Sequence, residues 1–121
     1  MKSLPCFLMI GLILQSTALT FGNDSIPADD ALITKGKSVF ASTCFACHGL
    51  DGKGLVPGTP DLGGKKSPLF QDSLILKERI INGYQSKGSP LAMPPKGGNL
   101  ELNEQEVDAV IAYMKDAFLK K

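Results

Sequence analysis

The chain encodes an all-α domain of three to five short helices joined by long loops, and three observations point to it. Apolar residues recur at helical spacing in three separate stretches, each opened by a side chain able to cap a helix. No stretch alternates apolar and polar residues as a half-buried strand does. Between the helical stretches lie segments dense in glycine and proline, which supply 13 and 8 of the 121 residues and interrupt regular structure. This length holds one domain, and a loop-rich domain so small buries a limited share of its surface, so it needs a disulfide, a metal or a cofactor as a staple. With 13 basic side chains against 12 acidic ones, the composition excludes a disordered chain and a nucleic-acid binder working by excess positive charge.

Residues 1–22 read as an export signal. Lys2 is the only charged side chain before Asp24, an apolar run extends from Leu4 to Leu14, and small polar residues follow, which is the layout of a cleavable secretory signal. Cleavage fits after Gly22, with Thr20 two residues before it, or after Ala18, with Ser16 two before it. The run is shorter than the ~20 residues of a spanning helix, so no membrane span is expected after cleavage. Cys6 belongs to the signal, and the mature chain keeps Cys44 and Cys47 with 12 basic and 12 acidic side chains. Both cysteines are then expected in the periplasm, an oxidising compartment where an unused pair tends to form a disulfide.

Residues 23–31 are polar, contain Pro27 and read as a flexible leader, with the domain proper expected over 32–121. Asp29 or Asp30 can cap a first helix whose apolar positions are Leu32, Ile33, Val39 and Phe40. Gly36 lies on the same face and costs roughly 1 kcal/mol of helix propensity relative to alanine, which is reasonable where another helix crosses close to its backbone. The glycine- and proline-rich segment from Gly49 to Ser67 is too long for a plain connection and is expected to wrap around something. Asp72 or Ser73 can cap a second helix carrying Leu74, Ile75, Leu76, Ile80 and Ile81 and ending at Asn82–Gly83. After a second loop from Tyr84 to Leu100, Asn103 and Glu106 form a capping-box pattern, with Leu102 and Val107 as a hydrophobic staple. Val107, Val110, Ile111, Met114 and Phe118 make the apolar stripe of that last helix.

Cys44-Phe45-Ala46-Cys47-His48 reads C-x-x-C-H, the attachment signature of a c-type haem. One helical turn sets the two sulfurs where they can form thioethers with the haem vinyl groups and leaves the next residue to ligate the iron. A redox C-x-x-C would sit in a βαβ context, which the pattern lacks. A zinc site would need more ligands, yet His48 is the only histidine. A simple disulfide leaves the adjoining histidine unexplained. For the opposite face of the iron, Met93 is the candidate ligand, standing in a loop stiffened by Pro94 and Pro95, with φ fixed near roughly −65°. Packing on the haem without ligation is the alternative reading of Met93. Met114 lies in a helical stripe and reads as core.

With these residues in view, the chain resembles a bacterial class I cytochrome c over roughly Ala31 to Lys121, nearest to the small cytochromes of the c5 type. Gly36 and Phe40, CFACHG, Pro60-Asp61-Leu62, AMPPKGG and Ala112-Tyr113-Met114 carry the resemblance in this order. The extra cysteine pair common in the c5 type is missing, and Asn99 stands where one member would be. The resemblance implies the class I cytochrome c fold wrapped around one covalently bound haem c. It implies axial ligation by His48 and Met93, a Pro60 carbonyl that accepts the His48 Nδ1–H, and Leu62 packed on the haem plane. It also implies that the first and last helices cross, with Phe40 against Tyr113.

The expected function is a periplasmic one-electron carrier rather than an enzyme, a monomer or a subunit of a redox complex. The alternative is a haem c subunit of a periplasmic oxidoreductase, such as a sulfur-compound or alcohol dehydrogenase. An open-iron enzyme would need a distal polar group, and only Lys96 is near Met93 in sequence. Lys53, Lys65, Lys66, Lys87 and Lys96 come from the two loops expected to ring the haem edge, so the redox partner is expected to present an acidic docking patch.

Overall fold

The computed structural model describes residues 28–120. The expected signal, residues 23–27 of the expected leader, and Lys121 lie outside the described residues. The regular elements among them are all helical and are joined by long loops, with one isolated backbone bridge, between Tyr84 and Met93, and no strand among the described residues.

Helix α1 spans Ala28–Val39. It starts four residues before the expected domain boundary, so Ala28–Ala31 is helix and not leader. Asp29 and Asp30 consequently sit inside its first turn instead of capping it, a position where the helix dipole favours acids. Leu32 is exposed and Ile33 only half-buried, which leaves Gly36, Val39 and Phe40 as the buried face. The chain does not break after Val39 but passes through a π turn, Phe40–Cys44, into a short helix α2, Phe45–His48. The Phe45 N–H donates to the Phe40 carbonyl, closing the wider π ring. The extra residue shifts the register of the next turn, so that Phe40 stays in the core while Cys44, Cys47 and His48 turn to a different surface.

Helix α3 spans Ser73–Asn82, with Asp72 as its cap: the Leu74 N–H donates to Asp72 Oδ1 at 2.8 Å. Helix α4 spans Glu104–Leu119. Its capping box is complete, with Glu106 N–H donating to Asn103 Oδ1 at 2.9 Å and Asn103 N–H to Glu106 Oε2 at 3.2 Å. Leu102 and Val107 are both buried at its entry, as a staple requires.

The α1–α4 crossing holds these elements. A Cβ on Gly36 would come within 2.6 Å of the Ala109 carbonyl carbon and 2.7 Å of the Tyr113 Cβ, so the two backbones meet with no room for a side chain. Below that crossing Phe40 packs against Tyr113 and Phe118, with ring centroids 5.6 and 5.4 Å apart, the spacing of favourable tilted aromatic pairs. Lys35 pairs with Glu106 at 2.8 Å across the same interface. Lys77 of α3 reaches Glu104 and Asp108 of α4 at 3.1 and 2.9 Å, and Lys115 Nζ donates to the Gln71 carbonyl at 3.1 Å. The second loop folds back through a 3₁₀ turn, Pro95–Gly98, in which Lys96 takes a left-handed backbone with φ 54°.

Replacing Gly36 with valine forces the two backbones apart and should cost ~3 kcal/mol or more. Denaturant unfolding of the exported full chain checks this; an unchanged midpoint would remove the crossing from its central place.

Candidate functional site

A cavity of about 500 Å³ lies between α2, the 49–71 loop, α3 and the 84–97 loop, with α4 behind it. That volume suits a bound cofactor, for which pockets run to roughly 300–1,000 Å³. Leu62, Leu69, Leu76, Ile80, Leu102, Val110 and Met114 make most of its wall apolar.

Cys44, Cys47 and His48 enter from one side because the end of α2 is clamped by the adjoining loop. The Leu55 N–H donates to the Cys47 carbonyl and the Gly54 N–H to the His48 carbonyl, each at 2.8 Å, satisfying groups that a helix end leaves open. The two cysteines are free thiols lining the cavity. Burial, and then the neighbouring Cys47, push the Cys44 thiol up to about 11, so it stays protonated and unreactive near neutral pH. Burial also holds the His48 imidazole below its ordinary pKa, which leaves the ring neutral and able to offer a nitrogen lone pair.

The hydrogen bond implied for His48 is not made. Its Nδ1 is buried with no partner among the described residues, and Pro60 stands exposed at the cavity wall. Other bonds set the path of that loop: the Leu62 N–H donates to the Gly52 carbonyl at 2.7 Å. Leu62 is buried on the cavity wall, as expected.

Met93 enters from another side. Its backbone exchanges two hydrogen bonds with Tyr84, Met93 N–H to the Tyr84 carbonyl at 2.8 Å and the reverse at 3.0 Å. Gly83 has φ 80°, and a Cβ there would lie 2.9 Å from the Met93 carbonyl oxygen, so a glycine is required next to this bridge. Two prolines follow, and the segment that presents the thioether is therefore fixed at both ends.

Two thiols, a neutral imidazole with an orphaned ring nitrogen, and a thioether share one apolar cavity, and these fit a covalently held haem. Among the described residues no group of three or more His, Cys, Asp or Glu is arranged to hold a bare metal ion. The family model described as Cytochrome c matches residues 33–118. The chain belongs to the cytochrome c family.

Its similarity extends to named relatives. It is 32% identical to cytochrome c-555 of Prosthecochloris aestuarii over 92 residues, which cover 72% of this chain and 89% of that one. It is 34% identical to cytochrome c6 of a Synechococcus strain, over 96% of this chain and 93% of the relative. Among solved structures, cytochrome cL of Methylophaga aminisulfidivorans superposes with a TM-score of 0.58 at 27% identity, covering 75% of this chain and 56% of that one. The fold is therefore the small all-α class I cytochrome fold, and the protein is a haem-based electron-transfer protein. No helix of the described residues is long and apolar enough to cross a membrane.

Three residues of the wall, Met114, Arg79 and Ser67, were not expected at the site from their sequence pattern. Met114 is buried core, as its stripe implies, yet it also lines the cavity. Arg79 lines it from α3 and stacks on Tyr84. Ser67 is buried, donates to the Leu62 carbonyl at 2.6 Å and accepts from the Leu69 N–H at 3.1 Å. Nothing in a run of loop residues marks one serine as the tie between two leucines. Of the five loop lysines, Lys66 and Lys96 border the cavity, whereas Lys53, Lys65 and Lys87 do not.

Replacing Ser67 with alanine leaves the Leu62 carbonyl and the Leu69 N–H without this partner and should cost about 1–3 kcal/mol. A lowered thermal midpoint checks it; an unchanged one would mean that the Leu62–Leu69 wall is held by packing alone.

Proposed function

We propose that the protein is an exported, periplasmic one-electron carrier with a single haem c, joined to Cys44 and Cys47 and ligated by His48 and Met93. The observation that carries this reading is the convergence of all four side chains on one cavity. The bound haem supplies an iron that cycles between ferric and ferrous states; the chain supplies ligands, burial and a docking face. The thioethers would consume both thiols, which accounts for a cysteine pair that survives an oxidising compartment without forming a disulfide. A methionine opposite a histidine raises the reduction potential. The doubly bonded Tyr84–Met93 bridge and the two prolines keep that methionine in place in both redox states, so little rearrangement accompanies electron transfer. The apolar wall keeps water from the iron.

The chain's opening residues support export through their signal layout, with cleavage near Gly22. Lys66 and Lys96 at the cavity, joined by exposed Lys53, Lys65 and Lys87, favour a redox partner with an acidic patch. The carrier works as a monomer in this reading.

Two outcomes test it. In Met93→Ala, the oxidised protein should lose its sulfur-to-iron absorption band and turn high-spin while the haem stays attached; an unaltered band would assign the ligand elsewhere. Electron-transfer rates with an acidic partner should fall as ionic strength rises, since added salt shortens the reach of surface charges. Rates independent of salt would remove the lysines from docking.

A further inference from the structure

The loop that presents Met93 is held at two points. One is the backbone bridge to Tyr84. The other lies beyond the methionine, where the chain passes through Pro94 into the 3₁₀ turn Pro95–Gly98. In that turn Lys96, Gly97 and Gly98 take left-handed backbones in succession, with φ of 54, 64 and 87°. Such a backbone is costly for a lysine and persists only where its surroundings hold it. Asn99, the next residue, holds it. Its own N–H donates to the Lys96 carbonyl and its carbonyl accepts from the Leu102 N–H, each at 3.1 Å. Its side-chain Oδ1 accepts from the Glu101 N–H at 3.2 Å. That bond identifies the remaining side-chain atom as the amide nitrogen, and Nδ2 donates to Thr43 Oγ1 at 3.4 Å.

Thr43 is the residue before Cys44 in the π turn. Gly97 lies against it as well: a Cβ on Gly97 would come within 3.0 Å of Thr43 Cγ2. The hydroxyl and the methyl of Thr43 therefore each face a residue of the methionine loop, and Thr43, Cys44, Met93, Lys96 and Gly97 all border the cavity. Another side-chain hydrogen bond joins this loop to a distant segment, Ser89 Oγ donating to the Gly58 carbonyl at 3.4 Å, but it is exposed. The Asn99–Thr43 bond is partly buried, where losing a partner costs more.

We infer that Asn99 is a positioning residue for the methionine ligand: by bonding Thr43 it ties the Met93 loop to the turn that carries Cys44 and so keeps Met93 on the iron. The inference rests on the proposed ligation by Met93 and goes beyond it by assigning the tie that holds the loop closed. A loop pinned at one point in place of two has more conformations open to it. Those in which Met93 has moved away leave an axial position free. An added ligand binds only that open fraction, so its apparent affinity rises in proportion to it.

Imidazole is the probe. Titrated into the oxidised, haem-loaded full chain, it competes with Met93, and loss of the sulfur-to-iron absorption band reads its binding. Asn99→Ala should keep the band when no imidazole is present, yet bind imidazole roughly 2–10-fold more tightly than the unmodified protein, the range set by one net hydrogen bond. Thr43→Val exchanges the hydroxyl for a methyl and should also tighten binding. Joining the two substitutions should add little to Asn99→Ala alone, since both remove the same bond. Thr43→Ser keeps the hydroxyl and should bind imidazole less tightly than Thr43→Val. Ser42→Ala is the control. The Ser42 hydroxyl lies 3.4 Å from Thr43 Oγ1 and donates to the Val39 carbonyl at 3.1 Å, but it is not part of the tie, so its loss should leave the imidazole affinity unchanged.

An unchanged affinity in Thr43→Val, additive effects of the two substitutions, equal affinities in Thr43→Ser and Thr43→Val, or an equal shift in Ser42→Ala would each overturn the assignment. Should Asn99→Ala fail to fold, the Thr43 and Ser42 variants decide between the same outcomes. An unmodified protein with no sulfur-to-iron band would instead overturn the Met93 ligation on which the inference rests.

Discussion

The crossing of α1 and α4 at Gly36 is the contact on which the rest of the structure depends. The helix entering it carries, one π turn later, both cysteines and the histidine; the helix leaving it carries Val110 and Met114 on the cavity wall. Two walls of the site are therefore placed by one close approach of backbones, tighter than any side chain would allow. Phe40, Tyr113 and Phe118 lock its angle from below, and Lys35–Glu106 spans it at the surface. Since an exposed ion pair contributes little, the aromatic packing and the excluded side chain carry the interface.

The remaining walls are loops, and loops this long hold their shape only if their backbone groups are satisfied. Here the first loop spends its N–H groups on the Cys47 and His48 carbonyls and on its own turns, while Ser67 ties Leu62 to Leu69. The second is pinned by the Tyr84–Met93 bridge. These ties enclose a space that is mostly apolar, an environment that suits a flat apolar cofactor. A domain of this size with this much loop has a small core of its own, so the occupant of the cavity is also part of what holds the two loops in place.

Much of this is legible in the residues. Caps written in side-chain chemistry mark helix starts closely: the Asn103–Glu106 box to the residue, and Asp72 or Ser73 to within one, with Asp72 making the bond. C-x-x-C-H names its cofactor through spacing, and Gly36 announces a close crossing. Where the pattern of residues falls short, the deciding forces are not local. Asp29 and Asp30 look like caps, yet the helix extends past them to Ala28, because acids are equally at home in a first turn. Leu32 belongs to the apolar spacing but is left exposed, since the face that Gly36 must present to α4 fixes the rotation of α1. The π turn has no sequence signature. Arg79 on Tyr84 and Ser67 between two leucines join residues from separate elements or buried loop backbone, and only the folded chain brings them together.

The claim at the centre is that Cys44 and Cys47 hold a single haem covalently in this cavity. Acid–acetone extraction of the exported protein, with intact mass measurement of the chain, tests it most directly. Covalent attachment predicts that the colour stays with the protein, at the mass of the processed chain plus one haem, and that changing both cysteines to serine releases it. Haem that partitions into the solvent, or a purified chain at its bare mass with both thiols free, would contradict it.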